Sequence, residues 1–169
     1  MNTQALLEEE QSEEHIEEGE EYLTFHLADE EYGVDILRVR EIRGWETVTH
    51  IPNSPDYVKG VLNLRGAIVP IIDLRIRFNL QLSEYTATTV VVVLSVLSED
   101  KQRERIMGVV VDAISDVVKA RRNEIQATPN FDSSIETDYI QGLATARDKM
   151  IMLVDVDKLL DINEISNEI

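Results

Sequence analysis

Residues 57–74 read Tyr57-Val58-Lys59-Gly60-Val61-Leu62-Asn63-Leu64-Arg65-Gly66-Ala67-Ile68-Val69-Pro70-Ile71-Ile72-Asp73-Leu74. Two apolar, β-branched runs flank the pair Arg65-Gly66. Glycine tolerates the positive φ of a tight hairpin, so the stretch predicts two strands joined at that pair. Pro70 has no amide to donate to a ladder and predicts an edge or bulged position in the second strand. Asp73 is placed to cap a short helix over Leu74–Phe78.

The pattern returns further along the chain. At an offset of 82, Asp56-Tyr57-Val58-Lys59-Gly60 falls on Asp138-Tyr139-Ile140-Gln141-Gly142, Arg65 on Arg147 and Asp73 on Asp155. At an offset of 75, Gly33-Val34-Asp35-Ile36 falls on Gly108-Val109-Val110-Val111, with Val39 on Ile114, Glu41 on Asp116 and Ile42 on Val117. This is a weak internal duplication. Each half carries about five short strands, the scale of a small barrel, with a groove expected between the two. The halves divide at about 22–85 and 86–160, between an acidic tail at 1–21 and a short C-terminal tail at 161–169. Gly60 and Gly142 read first as turn residues, and Asp73 and Asp155 as helix caps.

The remaining strands follow from alternation. In Tyr22–Leu27, Leu23, Phe25 and Leu27 share one face, and Tyr22, Thr24 and His26 the other. Asp35–Arg43 reads as a helical turn that continues extended. Val48–Ile51 is a short strand ended by Pro52 and Pro55. The continuous apolar run Val90–Leu97 predicts a strand buried on both faces. A charged hairpin tip at 98–105 leads to a returning strand, Ile106–Val111. Further strands follow over 138–156, then a short helix near Asp157–Leu160. The class is mainly β, with a few short helices.

Composition narrows the function. The 169 residues carry 33 acidic against 16 basic side chains, a formal charge of −17, and no cysteine. Such a surface repels phosphate, so nucleic acid and anionic membrane are poor partners. Residues 1–21 hold nine glutamates and no lysine or arginine, a composition that favours a solvated, flexible tail. The longest apolar run is far short of the roughly 20 residues of a membrane span, and a cytoplasmic protein is expected. Metal ligation is not expected of His15, His26 and His50, which lack ligand spacing. Asp112, Asp116 and Glu41 are not surrounded by a liganding loop. Phosphate-loop, dinucleotide and nucleophile-elbow motifs do not occur, so no catalytic residue, metal or cofactor is assigned.

What stands out is apolar material beside isolated charge. Val39 and Glu41 flank Arg40, and Arg65 stands at a hairpin tip. Val39 reads either as core or as the wall of a groove, and Arg65 either as a turn residue or as a register-setting charge for an apolar helix.

At these residues the chain resembles the CheW family of bacterial chemotaxis coupling proteins. The matching stretches are Glu30–Leu37, Val39–Gly44, Gly60–Arg75, Gly108–Val117 and Asp157–Leu160, with Asn63-Leu64-Arg65-Gly66 and Ile68-Val69-Pro70 the most specific. The resemblance implies two SH3-like five-stranded β-barrels. It implies a non-enzymatic adaptor that joins the cytoplasmic tip of methyl-accepting chemoreceptors to the regulatory domain of the histidine kinase CheA. Location at the inner face of the membrane, through receptor complexes and without insertion, goes with that role. Carried over by motif, Val39, Glu41 and Arg65 face the receptor. Ile36 and Val90 join them by position, and Ile114 and Val117 are further groove candidates. An adaptor in a related, non-chemotactic kinase system stays open at this point.

Overall fold

The structure is a computed structural model that describes residues 19–80, 84–128 and 138–161. The acidic tail, except its last three residues, lies outside them, as does the C-terminal tail beyond Asp161. In chain order the strands are β1 (Glu20–Leu27), β2 (Glu30–Asp35), β3 (Val39–Gly44), β4 (Val58–Leu64), β5 (Ala67–Asp73), β6 (Val90–Leu97), β7 (Glu104–Val111), β8 (Ala113–Ala120), β9 (Ile125–Gln126), β10 (Ile140–Ala146) and β11 (Lys149–Val154). Two four-residue helices follow β5 and β11, namely α1 (Leu74–Arg77) and α2 (Val156–Leu159). Each sits about one residue from its expected place. The protein is mainly β, as expected.

The strands form two mixed sheets. One has the order β3-β6-β7-β5-β4, the other β8-β1-β2-β11-β10-β9. The order corrects the division of the chain at 85/86. The first sheet is built from the continuous stretch 39–111, and the second takes hairpin β1–β2 from the N-terminal half and adds β8 to β11. The two repeats have exchanged their leading hairpins. The parallel seams show it: Ile71 pairs with Gly108 in the first sheet, and Leu153 with Gly33 in the second. The chain passes between sheets twice, through the 3-10 turn Ile36–Arg38 and at Asp112.

The repeat is legible bond by bond. Asp73 donates its amide to the Tyr57 carbonyl at 2.8 Å, and Asp155 to the Tyr139 carbonyl at 2.8 Å. Each caps its helix, with the Asp73 carboxylate accepting from the Arg75 amide and that of Asp155 from the Asp157 and Lys158 amides. The two hairpin tips share left-handed backbone, with φ of 53° and 87° at Arg65 and Gly66 and 52° and 62° at Arg147 and Asp148. Gly60 and Gly142 are not turn residues. Each sits at a register break inside its strand, where β4 and β10 bulge against their partners. Val48–Ile51 reduces to one bridge, Thr49 to Val61, because Pro52 and Pro55 withdraw donors from the chain that follows. Pro70 lies in an interior strand rather than at an edge. Its partner Val61 spends its amide and carbonyl on Thr49, and pairing of β5 with β7 begins only at Ile71. The missing amide therefore breaks no ladder bond.

Each barrel has its own interior: Leu62, Val69, Ile71, Val91, Val93 and Val110 in the first, and Tyr22, Ala120, Ala144, Ile151 and Leu153 in the second. The largest cluster lies between them and draws Phe25, Leu27, Tyr32, Leu74, Leu94, Met107, Val154 and Leu159 from both. Strand β1 is thus buried on both faces over Tyr22–Phe25, where alternation predicted only one. Phe25, Tyr32, Phe78 and Tyr139 stack in series across this seam, with centroids 6.0, 5.5 and 4.9 Å apart.

Burial sets an alkaline limit. It is the largest cause pushing the Tyr22 and Tyr32 hydroxyls from 10.0 up to about 12. The folded state holds these protons more tightly than the unfolded chain, so their contribution is complete below pH 10 and is lost as pH rises to 12. Urea midpoints should stay level from neutral pH to that lower value and then fall, in step with tyrosinate absorbance.

Candidate functional site

Strand β3 begins with a bulge that turns three successive side chains to different neighbours. The register breaks between Val39 and Glu41. Val39 packs against the central cluster. Arg40 points out and meets Glu104 at 3.2 Å. The Ser95 hydroxyl, and after it Arg40, hold the Glu104 carboxyl below its ordinary range. Glu41 turns to Arg43 at 3.2 Å and to Arg65 at 3.9 Å. The fold thus joins two site residues that lie far apart in the chain. The Arg65 side chain is 87% exposed at the β4–β5 tip, while Glu41 beneath it is 27% exposed. An exposed guanidinium stands over a mostly covered carboxylate.

Ile36, Val90 and Ile114 are half-buried and, like Val39, pack on the margin of the central cluster. Val117 does not join them. It lies exposed on β8, opposite Leu23.

Repeat symmetry extends to the surface. Asp116 forms an ion pair with Arg147, the counterparts of Glu41 and Arg65. Ile42 and Val117 are counterparts and both exposed, as are Ile68 and Met150. Each barrel therefore carries an acid on one strand, an arginine at the facing hairpin tip, and two exposed apolar side chains. From the second patch the sequence reading drew only Val117, although the two offsets contained the rest.

At the end of β5 away from the Arg65 tip lies a buried ionic group that the sequence reading also missed. Arg75, 1% exposed, donates through Nε and Nη2 to Asp73 at 3.0 and 2.9 Å and through Nη1 to Asp112 at 3.1 Å. The Tyr85 hydroxyl donates to Asp73 at 2.8 Å, and its ring lies under the Arg75 guanidinium and stacks on Trp45. The hydrogen bonds to Asp73 hold the Arg75 guanidinium firmly charged.

Residues 21–164 match the family described as the CheW-like domain. The chain belongs to the CheW family. A protein named chemotaxis protein CheW from Klebsiella aerogenes is 47% identical over 148 residues, covering 88% of this chain and 86% of the relative. The CheW of Rhizobium meliloti is 38% identical over 146 residues, covering 86% and 90%. The crystal structure of the scaffolding protein TtCheW from Thermoanaerobacter tengcongensis superposes with a TM-score of 0.75 at 31% identity, covering 86% of this chain and 94% of that one. Among the described residues no helix is long and apolar enough to cross a membrane, and no cluster of candidate metal ligands occurs.

Proposed function

We propose that this CheW-family chain is a non-enzymatic adaptor that couples transmembrane chemoreceptors to the histidine kinase CheA. Family membership supports the scaffold role, and the Glu41–Arg65 pair is the observation that carries the receptor-facing reading. An exposed arginine at a tight hairpin tip, with its carboxylate below and half-buried Val39 nearby, suits an amphipathic helix. The arginine sets register and the apolar margin supplies area. Ile36, Val90 and Ile114 extend that margin. Kinase activity of CheA measured with receptor-containing membranes should rise on adding this protein and stay flat without it. A flat response with the protein present would overturn the proposal.

Arg65→Glu sets two carboxylates against one another and removes the guanidinium. Receptor binding is expected to weaken by about 1–3 kcal/mol, the scale of a charge-assisted hydrogen bond. At so exposed a site the folding stability should move by less than about 0.5 kcal/mol. Affinity for a soluble receptor fragment and the melting temperature of the same variant check both. A large fall in melting temperature with loss of both partners would mark Arg65 as structural.

A further inference from the structure

The two crossings between the barrels are each locked by a charged pair, and the two locks have opposite polarity. At the second crossing the carboxylate of Asp112 receives Arg75 from α1 at 3.1 Å, and its other oxygen accepts the Ala28 amide at 2.7 Å. At the first crossing the cation is on the connector. Arg38 donates through Nη1 and Nη2 to the two oxygens of Asp157 on α2, at 2.9 and 2.7 Å. Asp157 also accepts the Leu97 amide at 2.7 Å, and Arg38 donates to the Ser95 carbonyl at 3.2 Å. Arg75 and Asp157 are counterparts in the repeat. Ala28 directly follows the first strand of one exchanged hairpin, and Leu97 ends the first strand of the other. The same helix, connector and strand-end amide meet at both crossings, with cation and anion traded between helix and connector; the first pair is bidentate, and the second is a single bond beside the Asp73–Arg75 contact.

The consequence is specificity. In either lock the connector of the crossing carries the charge opposite to that of the helix residue. Two N-terminal halves brought together would set Arg75 against Arg38. Two C-terminal halves would set Asp157 against Asp112. The first lock also touches the proposed site, because the turn it anchors carries Ile36 and leads directly into Val39 and Glu41.

We propose that Arg38 and Asp157 are a positioning pair, a bidentate clamp that holds the Ile36–Val39 crossing in the pose its partner reads. We propose further that the clamp works equally well with its charges exchanged. The positioning role rests on the receptor-facing reading above. The clamp itself does not. The second lock already shows the reversed arrangement in place, with arginine on the helix and a carboxylate on the connector taking the strand-end amide.

Three full-length variants test this: Arg38→Asp, Asp157→Arg, and the two combined. Hydrogen exchange at the Leu97 amide and across 36–39 should quicken in each single variant and return to the wild-type rate in the double. Affinity for a soluble receptor signalling-tip fragment should fall about tenfold or more in each single variant, on the scale of a broken part-buried ion pair. It should recover to within about threefold in the double. Exchange that is unchanged in the single variants, or unrepaired in the double, overturns the clamp. Exchange that behaves as expected while receptor affinity stays level, with Arg65→Glu still weakening binding, overturns the positioning role. If Arg65→Glu leaves receptor binding intact, the receptor-facing reading itself fails, and the exchange rates alone decide for or against the clamp.

Discussion

Asp73→Ala is expected to lower the folding stability by about 3–5 kcal/mol, the cost of removing one partner from a buried ion pair. The Asp73 side chain is fully buried and holds Arg75, 1% exposed, through two bonds. It also takes the Tyr85 hydroxyl at 2.8 Å and the Arg75 amide at 3.0 Å. Truncation leaves the guanidinium with Asp112 and a ring face, in a place that water does not reach. Asp155→Ala supplies the internal control. Asp155 occupies the same cap in the other repeat, but the residue two places on is an aspartate that turns instead to Arg38. Only a cap is lost there, worth about 1 kcal/mol. Urea denaturation of the two variants side by side reads the difference. Equal losses would show that the Asp73–Arg75 pair contributes nothing beyond its cap.

The second large effect is expected at Gly60. Its φ is +150°, and a Cβ there would lie 2.1 Å from the Thr49 carbonyl oxygen and 2.7 Å from its carbon. Both atoms are backbone, and the Thr49–Val61 bridge fixes them. Gly60→Ala therefore combines a disfavoured dihedral with an overlap that only backbone movement relieves, for a loss of about 3 kcal/mol or more. Gly66→Ala separates the two causes. Gly66 also has positive φ, +87°, but open space around its missing Cβ, so it should lose only about 1 kcal/mol. Thermal melts of both variants check the ranking. A Gly60→Ala protein as stable as Gly66→Ala would show that the Thr49 segment yields freely.

Local pattern determined a good deal. Arg65-Gly66 between two β-branched runs could form little but a tight hairpin, and Asp73 ahead of Leu74 could do little but cap. The apolar run Val90–Leu97 had to be buried on both faces. The two offsets established the duplication, and with it the equivalence of Gly60 with Gly142 and of Asp73 with Asp155. These features depend on neighbours within a few residues, or on comparing one half with the other.

Tertiary structure decided the rest, because pairing between distant strands leaves no mark on local periodicity. Hairpin β1–β2 looks the same whether it closes its own barrel or the other one, so the exchange, and the true division of the chain, were invisible. Strand β1 showed one apolar face because Tyr22 and Thr24 are polar at their tips, yet both line a barrel interior. Glu41 and Arg65 were each visible as a charge among apolar residues, but their meeting at 3.9 Å follows from the bulge at Arg40 and the reach of the β4–β5 tip. Arg75 read as an ordinary helical arginine. Its burial results from Asp73 and Asp112 converging on it from separate elements, and two carboxylates that meet only in the folded molecule cannot be read from a chain in which they stand 39 positions apart.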